Sequence, residues 1–221
     1  MELGSSLTLY DLDHSPFAAR VRIAIAAKGL AVRCVAPPGG VRSEAYRAIN
    51  PARLVPVLVL EDGAVLGESE AIVEYLEDRF PQPPLRPADL RERARARALA
   101  RVADIYLAPA LKLLFEATKR PGTAAGPEAG AVAEALAMLD SGLGAGPLAA
   151  GEGLSTADCA LAPLLFFSER CLPFLPGGFG ARLAPYWGRV QKHEFVQPVL
   201  AGMAAAQVRR AAARARGEAE D

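Results

Sequence analysis

Apolar residues recur along this chain with two different spacings, and the change from one to the other divides it. "LTLYDL" (Leu7 to Leu12) has the composition and spacing of a strand running into a turn. Phe17, Val21, Ala24, Ile25 and Lys28 then recur at helical spacing, and Gly29 is a natural C-terminal stop. "AVRCVA" predicts a second short strand, followed by a polar, helix-compatible piece around Ser43 to Ala48. "VPVLVLEDGAVLGES" holds two apolar runs separated by Asp62-Gly63, a strong hairpin signal. "SEAIVEYLEDRF" predicts a helix whose apolar face carries Ile72, Val73, Tyr75 and Leu76. The predicted order, β-α-β-(α)-β-β-α, fits a small sheet with helices packed against it.

"PQPPLRP" (Pro81 to Pro87) ends this region, since four prolines in seven residues can continue neither a helix nor a ladder. Beyond it the strand signals vanish. Asp89 to about Thr118 is one helical run, which Pro109 is expected to kink. "RPGTAAGPEAG" predicts a loop, Ala131 to about Leu143 a helix, and "GAGPLAAGEGLS" another loop. Further helices are expected from near Thr156, over Leu183 to Val190, and from about Val199, with a polar C-terminus that frays. The chain thus divides into an α/β domain over residues 1–80, a proline-rich linker over 81–88 and an all-helical domain over 89–221.

Composition narrows the partners. The 221 residues carry 25 basic and 25 acidic side chains, so there is no electrostatic reason to expect a nucleic-acid partner. Hydrophobic content is 52%, much of it alanine, without an apolar run of membrane-spanning length, so no membrane partner is expected. "MELGSSLTLYDLDH" lacks the regions of a signal peptide. Cys34, Cys159 and Cys171 show neither metal-ligand spacing nor a paired framework, which predicts reduced thiols, a cytoplasmic location and no metal.

Four short stretches could carry chemistry or only structure. Ser15, ahead of Pro16 in "DHSPFAARVRIAIAAKGL", reads locally as the cap of the helix that follows. Ser69 in "GESEAIVEYL" also precedes a helix. Its hydroxyl either caps that helix or joins the free N–H groups in holding an anion. Val55-Pro56 lies just before a strand; a cis bond there would leave the Val55 backbone groups free to pair with an extended peptide. Ser155 and Asp158 in "EGLSTADCALAP" form a capping box, read as structural. His14 is a candidate base beside Ser15 or an exposed turn residue, and Tyr10 is a secondary candidate on the first strand. Arg91, Arg93, Arg95, Arg97 and Arg101 spread around one helix as a solvated face or a dimer contact. Cys159 is expected to be an inert buried thiol.

In this order and at these spacings the stretches resemble the glutathione transferase superfamily, in its bacterial, cytosolic, zeta- and omega-like serine type. The resemblance rests on "SPFAARVRIAIAAKGL", on Asn50, Pro51, Val55, Pro56, Val57 and Leu58, on Leu66, Glu68 and Ser69, and on "LSTAD". It implies a thioredoxin-like N-terminal domain, an all-helical C-terminal domain, a homodimer, and glutathione as co-substrate. Val55 and a cis Pro56 would grip the cysteinyl part of glutathione, Glu68 and Ser69 its γ-glutamyl end, with Pro16 and Phe17 beside it. Ser15 falls where zeta-type members carry an active-site serine. The residue before the Val-Pro pair is often basic in relatives. Here it is Leu54, with Arg53 one place earlier as a substitute contact for the glycine carboxylate.

A free thiol has a pKa near 8.5, and lowering it by about two units takes roughly 2.7 kcal/mol of preferential thiolate stabilisation. One hydroxyl donor plus a helix N-terminus is of that size. A serine forms no mixed disulfide, which disfavours omega-type redox chemistry. The resemblance therefore implies a glutathione-dependent enzyme with Ser15 as its catalytic residue and detoxification as its setting. Because Pro16 and Phe17 depart from the zeta pattern, conjugation of a hydrophobic electrophile ranks first. Cis–trans isomerisation of a maleyl-type compound is the alternative, and a non-catalytic regulator resembling the stringent-starvation proteins is another. His14, Tyr106, Leu111 and Phe115 are candidates for the second-substrate pocket, although core packing explains the apolar ones equally well.

Overall fold

A computed structural model describes residues 7–118, 126–175 and 177–217. Two compact units divide them: one takes the chain up to Pro83 and again from Gln197, the other takes Pro84–Val196. The first is built on four short strands, β1 (Thr8–Tyr10), β2 (Arg33–Val35), β3 (Val57–Val59) and β4 (Val65–Leu66), in the spatial order β2-β1-β3-β4. β1 and β2 are parallel, whereas β3 runs antiparallel to β1 and β4 antiparallel to β3. Parallel neighbours need a crossover, and α1 (Pro16–Ala27) provides it. α2 (Glu44–Ile49) leads into β3, and α3 (Ser69–Arg79) follows β4 and packs on α1. The predicted order and the thioredoxin-like fold class are both present.

Asp62-Gly63 does turn the chain, through a three-residue loop rather than a two-residue one. The Leu60 N–H donates to the Ala64 carbonyl (2.9 Å) and the Gly63 N–H to the Leu60 carbonyl (3.0 Å). Gly63 alone in this loop takes positive φ (84°), so the primed turn, which needs two such residues, does not form. α1 ends at Lys28 and Gly29 (φ 62°) as its sequence predicts. The Lys28 side chain is buried; its Nζ lies 2.6 Å from Glu77 Oε2 and donates to the carbonyls of Phe80 (2.7 Å) and Pro83 (3.0 Å). This one cation ties the ends of α1 and α3 to the start of the proline-rich segment.

The second unit is helical. α4 (Leu90–Val102), capped by Asp89, continues through a π-helical turn at Ala103–Leu107 into α5 (Ala108–Thr118). Pro109 can neither donate to the Ile105 carbonyl nor sit against it, and the wider turn accommodates that within a continuous helical run. α6 (Pro127–Gly142) begins four residues earlier than expected. Pro127, read from sequence as a loop residue, occupies a first-turn position where its missing N–H costs nothing. The earlier part of that expected loop, 120–125, lies outside the described residues. α7 (Thr156–Glu169) is buried along most of its length, and α8 (Leu183–Val190) starts where Asp140 Oδ1 accepts the N–H groups of Arg182 (2.8 Å) and Leu183 (2.7 Å).

The last helix, α9 (Gln197–Ala215), groups by compactness with the first unit, whereas the sequence assigns its residues to the helical domain. It also extends through Ala215, into the segment expected to fray, whose last residues, 218–221, lie outside the described residues. Leu200, Met203 and Ala206 anchor it, and it packs on α1. No helix among the described residues is long and apolar enough to cross a membrane.

Candidate active site

Strand register brings three separate stretches to one end of the sheet. Tyr10, the last residue of β1, pairs with Val57, the first of β3. The turn leading to Ser15 and the Val55-Pro56 bond therefore leave the sheet side by side. In β4, Leu66 pairs with Leu58, so continuing the ladder carries Glu68 alongside Pro56. The Val55-Pro56 bond is cis. Its loop is fastened from behind: the Leu54 carbonyl accepts from Tyr46 Oη (2.7 Å) and Asn50 Nδ2 (2.9 Å). Tyr46 packs edge-on against Tyr10, and burial raises its phenol pKa.

α3 opens onto this end of the sheet without a side-chain cap. Glu68 precedes it with φ 62°, a backbone state costing about 1–3 kcal/mol in a non-glycine residue. Its carboxylate is exposed. Ser69 is the first helical residue and not the cap that its local sequence suggests. Its buried Oγ accepts from Arg20 Nη1 (3.2 Å), which leaves the hydroxyl proton available for a ligand. The Arg20 side chain is 2% exposed and its Nη1 also lies 3.2 Å from Glu70 Oε2. An uncapped helix N-terminus, an oriented hydroxyl and a buried guanidinium together suit an anion.

Ser15 does cap α1: its Oγ accepts the Ala18 N–H at 3.2 Å, with Pro16 at the first helical position. Among the described residues its own O–H donates to nothing. The side chain can therefore cap the helix and still donate to a ligand. Phe17 is 37% exposed, with the Arg20 guanidinium 5.9 Å from its ring centroid. Arg53 takes φ 54° and donates to Glu44 Oε1 (2.8 Å), so its charge is shared. His14 lies 3.7 Å from Asp13 Oδ1; burial, then the charge of Arg210, lower its pKa. Asp11 is buried, 3.3 Å from Arg22 Nε, and burial raises its pKa.

Of the candidates on the helical unit, Leu111 is buried at 3% exposure, Tyr106 lies half exposed in the π-helical turn, and Phe115 is half-buried. Phe115 meets Phe167 edge-on, Phe167 meets Phe166, and the exposed Arg170 guanidinium sits 5.3 Å from the Phe166 ring centroid. Asp158 is fully buried, accepting from the Ser155 and Ala149 N–H groups and from the hydroxyls of Ser155 and Tyr186, so the capping box is structural. Sequence reasoning passed over Arg20, Glu70 and Arg170. For Arg20 a signal existed: it stands three residues after Phe17 and four before Ala24, a charge on the apolar face of α1.

A four-stranded βαβαββα sheet with a cis-proline loop, followed by an α-helical unit, is the class this geometry defines. Residues 9–84 match the family model for the glutathione S-transferase N-terminal domain, and residues 116–189 that for its C-terminal domain. The chain belongs to the glutathione S-transferase family. It is 41% identical over 108 residues to the maleylacetoacetate isomerase of Pseudomonas aeruginosa, a match covering 47% of this chain and 51% of that protein. It is 33% identical to a stringent starvation protein A homolog of Coxiella burnetii, over 73% of this chain and 76% of that one. Among solved structures, the maleylacetoacetate isomerase of Anaeromyxobacter dehalogenans, with bound dicarboxyethyl glutathione and citrate in its active site, is 32% identical. It superposes with a TM-score of 0.68 over 89% of this chain and 91% of that chain.

Proposed function

We propose that this protein is a glutathione-dependent cis–trans isomerase of a maleyl-type compound. The observation that carries this reading is the likeness, over most of its length, to the isomerase structure holding dicarboxyethyl glutathione. It reverses the ranking drawn from Pro16 and Phe17, which had put conjugation first. The first unit fits glutathione on its own geometry. The uncapped start of α3, the Ser69 hydroxyl and Arg20 would receive the γ-glutamyl carboxylate, and exposed Glu68 the ammonium. The Val55 backbone would meet the cysteinyl part, with Pro16 and Phe17 beside it, and Arg53, shared with Glu44, the glycine carboxylate.

Bound glutathione supplies a thiolate that adds reversibly across the cis double bond, lets it rotate as a single bond, and leaves unconsumed. Ser15 donates a hydrogen bond from its hydroxyl to the sulfur, and the N-terminus of α1 adds its positive end, which together lower the thiol pKa. The reading includes a homodimer, measurable by light scattering.

The test is conversion of maleylacetoacetate or maleylpyruvate with glutathione held far below the substrate. Complete conversion with glutathione recovered supports the isomerase. One glutathione consumed per product, or turnover only of a nitroaryl chloride, overturns it in favour of conjugation. The likeness to the stringent starvation protein favours a second, non-catalytic reading, which calorimetry showing no binding at millimolar glutathione would support.

A further inference from the structure

The turn that presents Ser15 is fastened from two sides. From α1, Arg22 Nη2 donates to the Asp13 carbonyl (2.9 Å) while its Nε lies 3.3 Å from Asp11 Oδ2. From α9, Arg209 Nη2 pairs with Asp13 Oδ2, a contact between residues 196 positions apart in the chain. Within the turn, the Ser15 N–H donates to the Leu12 carbonyl at 2.8 Å.

The two halves of α9 are held differently. Leu200, Met203 and Ala206 are buried, but no described residue after Ala206 is. The inner face continues through Gln207 and Arg210 at helical spacing from Met203. Both amide atoms of Gln207 are shut off from solvent and have no hydrogen-bond partner among the described residues. Such a pair is better satisfied when water reaches it. The distal half thus closes on the turn against an internal cost, through an ion pair exposed on both sides (62% and 49%).

We propose that Arg209 is a positioning residue, whose pairing with Asp13 clasps the C-terminal helix onto the turn that holds Ser15. This rests on the glutathione reading above. The clasp keeps the Asp13–Ser15 backbone in the conformation from which the Ser15 hydroxyl caps α1 and donates to sulfur. Because both partners are exposed, salt screens the clasp, whereas the buried Asp11–Arg22 side of the turn is screened less.

The variants are Arg209→Met, which keeps the stem and removes the charge, Asp13→Asn, their double, and Arg209→Lys. The first readout is amide hydrogen exchange over Asp13 to Ala19 in ligand-free protein. The second is the pKa of the glutathione thiol when bound, followed by thiolate ultraviolet absorbance. Each neutralising variant is expected to speed exchange about two- to fivefold, the range an exposed ion pair supports, and to raise the bound thiol's pKa. The double should do no more than the larger single, and Arg209→Lys should stay near wild type. High salt should reproduce the effect in wild type and add nothing to the variants. Additive singles, or unchanged exchange in Arg209→Met, overturn the clasp. If wild type binds no glutathione, the functional reading falls and the exchange arm still decides the clasp; if it binds and exchange is unchanged, only the clasp falls.

Discussion

Replacing Ser15 separates two roles that one hydroxyl fills. As the cap of α1 its Oγ accepts the Ala18 N–H at 3.2 Å; as the proposed catalytic donor its O–H faces sulfur. Ser15→Ala removes both. Loss of the cap costs about 1 kcal/mol of stability. Loss of a hydrogen bond to a charged acceptor costs about 1.5–3 kcal/mol, which corresponds to a rise of roughly one to two units in the bound thiol's pKa. Ser15→Gly splits the two, because glycine at a cap loses only a few tenths of a kcal/mol while it, too, lacks the donor. Thermal melts should therefore rank the proteins wild type, Gly, Ala. Thiolate absorbance against pH at saturating glutathione should instead show Gly and Ala shifted together. A bound-thiol pKa unchanged in both variants refutes the donor role and leaves Ser15 a cap.

Arg20→Met removes the donor that orients Ser69 Oγ; glutathione affinity should fall about tenfold or more, the lower end of what a charge-assisted hydrogen bond supports, and calorimetry within twofold of wild type would count against the anion site. Lys28→Met removes the cation paired with the buried Glu77 carboxylate and should cost about 3–5 kcal/mol in urea unfolding. Adding Glu77→Leu should return most of that, leaving about 1–3 kcal/mol for the carbonyls of Phe80 and Pro83, which lose their donor; a double variant no better than the single would show that the ion pair is not the cause. His14 has a folded pKa below its ordinary value, so the unfolded chain takes up the proton first. Its stabilising contribution is complete above the ordinary histidine range and is lost as pH falls through that range to the folded value. His14→Asn should flatten the stability profile over that window, and a profile parallel to wild type there would discount the shift.

The order of elements was legible because short-range signals agreed: Gly29 after a helical period, Asp62-Gly63 between apolar runs, four prolines ending the strand region. What escaped were features set by distant partners. Pro127 looks like a loop residue until Gly126 is seen to start a helix, since the same proline serves either context. At Pro109 a kink and a π-helical turn are alternative answers to one missing N–H, and sequence does not choose between them. Ser69 looks like a cap because serine before a helix usually is one. Its hydroxyl instead belongs to Arg20, 49 residues away. The reach of α9 to Asp13 was invisible for the same reason, since "RRAAARAR" carries no apolar period that would announce a docking partner.

Pro16 and Phe17 lie at the thiol end of the proposed site, and a thiolate is needed equally for conjugation and for isomerisation. They are therefore weak evidence about which reaction follows. The two reactions differ in what the second substrate brings: a maleyl compound carries carboxylates, while a hydrophobic electrophile carries no charge. They differ also in what becomes of glutathione: conjugation consumes one molecule per product, while isomerisation returns it. The recovery of glutathione after complete conversion therefore discriminates between the readings where Pro16 and Phe17 do not.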